Sequence, residues 1–132
     1  LGPMTNVVSM QDLYEMMDEV SLAFHTDTTI VAIDNIVGRF DYASLGLTID
    51  EALAVWITYK NDHPLYYWIS TSLTIAGTDL LLLTEGEYAN GADRATYNEL
   101  VYDAIAEYVS EVAGETSSYR IALAFHDVHG LR

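Results

Sequence analysis

The sequence contains no cysteine, which excludes disulfides, thiolate metal sites and a cysteine nucleophile on this chain. With 2 prolines and 8 glycines in 132 residues, it leaves little room for long flexible linkers. No apolar run approaches the roughly 18 residues of a membrane span. The leucine run Leu80–Leu83 has the length of a strand. We therefore expect no membrane partner.

Basic residues are scarce as well. Lys and Arg total 5 against 20 Asp and Glu, which gives a formal net charge of −15. Such a field repels phosphate backbones and anionic membrane surfaces, so we expect no nucleic-acid partner. An acidic, solvated surface is typical of a secreted protein, and we predict an extracellular location.

Metal and cofactor motifs are weak or missing. No D-x-D-x-D-G calcium loop, phosphate loop or Gly-rich dinucleotide turn occurs. His126 and His129 have the spacing of two metal ligands, but a site needs a third from elsewhere. We predict no metal site and no cofactor.

Apolar periodicity predicts four helices. The first starts at a Ser9 cap and carries an apolar stripe. The second starts at a capping box formed by Thr48 and Glu51 and stops near Asn61, before Pro64. The third covers Ala92–Val112, and the last follows Ser117 or Ser118. The first helix's stripe is Met10, Leu13, Met17, Val20 and Phe24, which we assign to the core.

Three segments are predicted as strands. The β-branched stretch Thr28–Val37 predicts the first, followed by a loop over Gly38–Gly46. Tyr66–Ala76 and Leu80–Thr84 predict a hairpin that turns at Gly77, and the four leucines indicate a strand buried on both faces. The fold class is therefore α+β, with helices packed on a small antiparallel hairpin or sheet.

Aromatic residues after the second helix are candidates for ligand recognition. Tyr66 and Tyr67 are weak binding candidates, and because they are consecutive in a predicted strand they should face opposite sides. We assign Trp56 and Trp68 to the core. His63 should fix the turn after the helix, and His25 should favour its cationic form at a helix C-terminus.

The order of three motifs resembles the segment ahead of the catalytic core in bacterial transglutaminase-like proteins of the papain-like cysteine-peptidase superfamily. The motifs are Leu47–Leu53 opening a helix, then Asp62-His63-Pro64 with Tyr67-Trp68-Ile69, and finally the stretch Ser118–Asp127. Together they cover roughly the second two thirds of the chain. The resemblance implies an N-terminal half whose catalytic Cys, His and Asp would all follow Arg132, so no catalytic residue is assigned.

The chain divides into Leu1–Met4, whose Gly2-Pro3 step is typical of the remnant of a cleaved tag, and residues 5–132. The latter form a single α+β domain or the N-terminal half of a larger module. That half would pack against the catalytic half, its C-terminal fragment partner, and form one wall of a cleft for a peptide or protein substrate. Arg132 fits either a trypsin-like cut in an exposed loop or an engineered end.

A stand-alone carbohydrate- or protein-binding module is the alternative function. A scaffold half predicts exposed apolar surface on the isolated chain or a tightly bound second fragment, whereas a stand-alone binding module predicts a folded monomer whose tryptophan fluorescence is quenched by its ligand. Enzyme activity of a complete module, by attack on a peptide or glutaminyl carbonyl, is left open.

Overall fold

A computed structural model describes residues 2–113 and the side chains of residues 6–112. The first helix, α1, covers Gly2–Thr26 and begins earlier than the predicted Ser9 cap. Pro3 lies in its first turn, where backbone N–H groups have no acceptor within the helix, so the N–H that proline lacks is not missed. The predicted stripe is confirmed as the buried side of α1, because Leu13, Met17 and Phe24 are all at most 1% exposed.

The second helix, α2, covers Ile49–Asp62 and confirms the predicted capping box. The Thr48 hydroxyl accepts from the Glu51 backbone N–H at 3.2 Å, and the Glu51 carboxylate accepts from the Thr48 N–H at 2.8 Å. Its inner side packs against α1 through Val55, Trp56 and Tyr59. The helix stops at His63, since the following Pro64 disfavours helical backbone there.

The sheet has three antiparallel strands in the order β1-β3-β2, where β1 is Ile36–Asp41, β2 is Thr74–Ala76 and β3 is Asp79–Leu83. The β2–β3 hairpin turns at Gly77, whose φ of 65° favours glycine. As the central strand, β3 is covered on both faces, and Leu80, Leu81 and Leu82 are buried as predicted.

Two strand boundaries predicted from the sequence are wrong. Residues 28–35 form turns and a short 3-10 segment in which Asp34 and Asn35 adopt positive φ, so β1 starts only at Ile36. It then continues through the predicted loop. Position 38 inside β1 favours glycine, because the Cβ of any other residue would lie only 2.9 Å from the Phe40 ring.

The predicted strand Tyr66–Ala76 is mostly irregular. Only Thr74–Ala76 belongs to a strand, and Ile69 forms an isolated bridge with Thr84. Residues 63–70 turn repeatedly, with the Tyr66 N–H donating to the His63 carbonyl and the Ile69 N–H to the Tyr66 carbonyl. These local bonds compete with an extended ladder that aromatic composition alone would favour.

The third helix, α3, covers Gly91–Ala113, in agreement with the predicted Ala92–Val112. It starts in close contact with the turn after α1, because a methyl group on Gly91 would lie 1.4 Å from the Thr28 carbonyl oxygen. The predicted last helix lies outside the described residues. The α+β fold class is confirmed, and its papain-like assignment stays a prediction.

Candidate functional site

Tyr66 lies half-buried in a set of stacked rings between α1 and α2, which we call the ring cluster (His25, Tyr59, His63, Tyr66 and Trp68). Its ring stacks with His63 at 5.1 Å and 7°, and with Trp68 at 5.6 Å and 24°. Trp68 is fully buried, which confirms its assignment to the core together with the nearly buried Trp56. Tyr66 is thus packed against the core, and its role in binding stays a prediction.

His63 has the structural role that the sequence predicts. It ends α2, where its N–H donates to the Lys60 carbonyl at 3.3 Å. Its Nε2 lies 3.2 Å from the Tyr14 hydroxyl, which donates its single proton to the Asp62 carboxylate at 2.7 Å. The Tyr14 oxygen can therefore only accept from the imidazole, and this bond assigns the proton of His63 to Nε2.

The phenols beside His63 remain protonated. Burial, followed by the hydrogen bond to Asp62, raises the pKa of Tyr14 well above its usual value. Burial likewise raises the pKa of Tyr59, whose hydroxyl donates to Asp18 at 3.1 Å. Neither phenol is tuned for proton transfer near neutral pH, so these contacts connect α1 to α2 rather than activating a nucleophile.

His25 lies in the last turn of α1, but the prediction that it favours a cation is wrong. Its Nδ1 accepts from the Trp68 indole N–H at 3.1 Å, which places the proton of the neutral ring on Nε2. Burial, followed by the positive charge of Arg94, lowers the pKa of His25. These two effects outweigh the attraction of the helix C-terminus for a cation.

Tyr67 connects the irregular segment to α3. Its hydroxyl lies 3.0 Å from the Arg94 carbonyl oxygen and also contacts the Asn98 side-chain oxygen. Its ring packs against Tyr97 at 4.1 Å and Tyr88 at 5.0 Å. Burial raises the pKa of Tyr67 to about 12. Tyr67 thus faces α3 while Tyr66 faces the ring cluster, although no strand separates them, and a binding role for Tyr67 also stays a prediction.

Arg94 is a central residue that the sequence analysis missed. Its side chain is fully buried, its guanidinium carbon lies 3.6 Å from the centroid of the Phe24 ring, and its N–H groups donate to a set of backbone carbonyls. This Arg94 carbonyl cluster comprises the oxygens of Phe24, Asp27, Ile30, Tyr88 and Ala89, at 2.8 to 3.4 Å. The guanidinium thereby joins the end of α1, the following turn and the start of α3.

Beyond Asn98, α3 leaves the body of the domain. No described residue from Glu99 to Val112 is buried, whereas Arg94 in the first turn is fully buried. Apolar residues nevertheless continue at helical spacing on one side of α3, which we call the α3 apolar face (Val101, Ile105, Tyr108 and Val112). Tyr108 is 48% exposed, whereas Val101, Ile105 and Val112 are only partly exposed; away from this face, Leu100 and Tyr102 are 61% and 58% exposed.

Acidic residues follow α3 at intervals of four and form what we call the acidic stripe (Glu99, Asp103, Glu107 and Glu111). Because four residues exceed one helical turn of 3.6, the stripe winds slowly around the helix, from the side opposite the apolar face at Glu99 and Asp103 to the border of that face at Glu111. At its end Glu111 is three residues from Tyr108 and thus its neighbour on the helix surface. Residues 95–113 include no Lys or Arg to balance these charges.

Two open grooves flank α1. The larger, about 550 Å³, has an apolar floor with Phe40 and a rim that includes Glu15, Glu19 and Arg39. The smaller, about 370 Å³, lies between α1 and α2 beside Tyr14. Within residues 2–113, no group of three or more His, Asp or Glu side chains could hold a metal ion. His126 and His129 lie outside that range.

Among the described helices, none is long and apolar enough to cross a membrane. Arg94 could not be recognised in the sequence because its acceptors are backbone carbonyls up to 70 residues away. The α3 apolar face, by contrast, was visible as periodicity, and only its exposure was unknown. No family model matches the sequence, and neither the curated proteins nor the solved structures contain a match.

Proposed function

We propose that this domain is a non-catalytic packing partner, which binds a second polypeptide through the α3 apolar face. The observation that carries the proposal is the loss of burial along α3 after Asn98 while apolar residues continue at helical spacing. Exposed apolar surface of this kind, bordered by charge, is typical of protein–protein contacts. It is also what a scaffold half would expose when separated from the rest of its module.

The energetics favour a complex over an uncovered helix. Three of the four side chains are partly exposed and Tyr108 is about half exposed, so covering them together stabilises a complex by roughly 2 kcal/mol. Tyrosine is also enriched in binding hot spots because it contributes a large contact area at a small entropic cost. Tyr97, Tyr102 and Tyr108 are all exposed on α3.

As this second polypeptide we propose the catalytic half of a transglutaminase-like module. That identity, the extracellular location and the bacterial origin depend on the sequence resemblance and composition alone. Carbohydrate binding has less support, because the rings of Tyr66 and Tyr67 are packed against neighbouring residues.

The test uses the full chain and a synthetic amphipathic helical peptide of about 20 residues with polar, uncharged flanks, long enough to become helical when bound. We expect the folded chain to bind this peptide and an apolar dye. The double variant I105S/Y108S should lose both while its stability changes by less than about 0.5 kcal/mol, since neither side chain is buried.

The control is Ile57→Ser, which removes an apolar side chain from α2 whose exposure (52%) is close to that of Tyr108 (48%) and greater than that of Ile105. It should leave peptide affinity and dye fluorescence unchanged. A folded chain that binds neither probe, or a control that loses binding as fully as I105S/Y108S, would refute the proposed surface.

A further inference from the structure

The larger of the two open grooves lies between α1 and β1 and combines an apolar floor with an acidic rim. We call it the α1–β1 groove; its floor includes Met16, Val20 and Phe40, and its rim includes Asp12, Glu15 and Glu19. We infer that this groove binds a short basic segment of a partner polypeptide, whose Lys or Arg stems lie on the floor and whose charged ends meet the rim carboxylates. This surface is separate from the α3 apolar face, so the inference goes beyond the proposed function and does not depend on it.

The rim carboxylates lie on one side of α1, directly beside the floor. At about 100° per residue, Asp12, Glu15 and Glu19 fall within about 60° of one another around the helix axis. Met16 and Val20 come next around the axis, between these carboxylates and the buried side of the helix. Negative charge and apolar surface therefore line the same groove, and one side chain can contact both.

Little positive charge balances the rim. Arg39 lies on the strand side of the groove, where its guanidinium is 4.0 Å from the Asp79 carboxylate in a weak ion pair. Among the residues that the structure describes, none of the three rim carboxylates has a salt-bridge partner. Glu15 accepts from the Gln11 side-chain amide at 3.2 Å, which leaves its charge in place. The surplus negative potential at the rim attracts a cation.

The floor determines which kind of cation fits. Lys and Arg carry an aliphatic stem that packs on apolar surface while the charged end stays in water. Met16 is 42% exposed, and its flexible thioether adapts to such a stem. A small molecule fits less well, because small-molecule sites usually enclose most of the ligand and this groove is open. A polypeptide that crosses the groove needs no enclosure, since its neighbouring residues add contacts outside.

The length of the rim and the charge of the chain restrict the partner further. Asp12 and Glu19 are about 10 Å apart along α1, at about 1.5 Å per residue. An extended segment covers that distance with about three or four residues, at about 3.3 Å each. A second copy of this chain is disfavoured, because two molecules that each carry a net charge of −15 repel each other. A short basic segment of a different chain is the occupant that remains.

The experiment compares peptides of about eight residues, long enough to cross the groove in extended form. They share their leucines and differ only in the interleaved residues, which are Lys, Gln or Glu. Binding to the full chain is measured by fluorescence anisotropy at low and high salt. We expect the Lys peptide to bind about tenfold more tightly than the Gln peptide at low salt, given typical surface ion-pair strengths. This preference should decrease as salt screens the charges.

Two charge-neutralised chains locate the effect. The groove variant D12N/E15Q/E19Q should bind the Lys and Gln peptides almost equally. The matched control E99Q/D103N/E107Q also neutralises one Asp and two Glu, at exposed positions on α3, and it should keep most of the preference. All six side chains are exposed, so both variants should keep the fold, which circular dichroism checks.

Met16→Ser tests the floor. It should weaken binding of the Lys peptide about threefold, because a partly exposed methionine side chain is no longer there to be covered. Two controls should leave that affinity unchanged. Ile57→Ser removes a side chain of 52% exposure from α2, and I105S/Y108S alters the α3 apolar face.

Several outcomes would overturn the inference. Equal binding of the Lys and Gln peptides to the natural chain, or no binding, refutes the basic occupant. Equal loss of the preference in both neutralised chains means that the overall field and not the rim selects the peptide. Unchanged affinity in Met16→Ser, or lost binding in I105S/Y108S, places the peptide outside the groove. A dimer that Met16→Ser disrupts identifies a second copy as the occupant.

Discussion

Replacing Arg94 with Met tests the physical basis of this fold most directly. Met keeps much of the apolar volume of the side chain but removes every N–H donor. The guanidinium now supplies hydrogen bonds to five backbone carbonyls from a position with no exposure to solvent. The substitution leaves those carbonyls in place, and their remaining partners decide the cost.

The cost follows from which acceptors keep a donor. Ala89 still accepts from the Ala32 N–H, and Asp27 from the Ile30 N–H. The carbonyls of Phe24, Tyr88 and Ile30 lose the guanidinium donor, and each buried carbonyl left unsatisfied costs about 1–3 kcal/mol. After partial relaxation we expect a loss of about 3–5 kcal/mol in the free energy of unfolding, as is typical when one partner of a buried charged network is removed.

An apolar replacement of a buried charge can also be neutral, but only when both sides of the interaction are replaced. That condition fails here because the acceptors belong to the backbone. Arg94→Lys should give an intermediate loss, since an ammonium has fewer donors and lacks the planar fork that reaches carbonyls on several sides.

The assay is urea unfolding at neutral pH, followed by tryptophan fluorescence from the buried indoles and by circular dichroism. Arg39→Met is the matched control, because Arg39 is exposed and has one weak ion pair with Asp79 at 4.0 Å. It should change the free energy of unfolding by less than about 0.5 kcal/mol. If Arg94→Met and Arg39→Met agree within about 1 kcal/mol, the buried donor network contributes little and the reasoning fails.

Two further substitutions test neighbouring contacts. Gly91→Ala would force its methyl against a backbone carbonyl oxygen 1.4 Å away, so it should destabilise the chain by more than about 3 kcal/mol. The control Gly86→Ala meets only side-chain atoms at 3.7 Å or beyond and should be tolerated. Equal melting temperatures for the two variants would contradict this. His25 has a lowered pKa, so it binds fewer protons folded than unfolded, and its stabilising contribution is present above its usual pKa and lost as pH falls through the lowered value. His25→Gln keeps an acceptor for Trp68 without titrating. The free energy of unfolding, measured in urea at several pH values, should therefore decrease more steeply from pH 8 to pH 5 for the natural chain than for the variant. Equal decreases in the two chains would argue against the assignment.

The sequence predicts the parts of this fold that depend on nearby residues. The capping box of α2 involves Thr48 and Glu51 three residues apart, and the hairpin turn depends on the conformational freedom of Gly77. The apolar stripe of α1 and the buried leucines of β3 follow from periodicity. In each case the interacting groups are close in sequence or the pattern itself specifies the buried side.

The errors arise where distant contacts override local preference. Residues 28–35 are rich in β-branched side chains, yet their backbone turns and supplies the Ile30 carbonyl to Arg94, 64 residues later. Gly38 suggested a loop because the approach of the Phe40 ring, which requires the absence of a Cβ, could not be seen. The predicted direction of the His25 pKa shift was wrong, because the burial of the ring and its distance from Arg94 depend on the folded arrangement.

The attachment of α3 at its first turns also affects the entropy of binding. Arg94, Tyr67 and Asn98 fix the direction of the helix through contacts with the end of α1 and the segment after α2. A helix held in this way presents its far half in one orientation before any partner arrives. A partner then meets a preorganised surface, and less of the interaction free energy is lost to ordering the helix than if α3 folded only on contact.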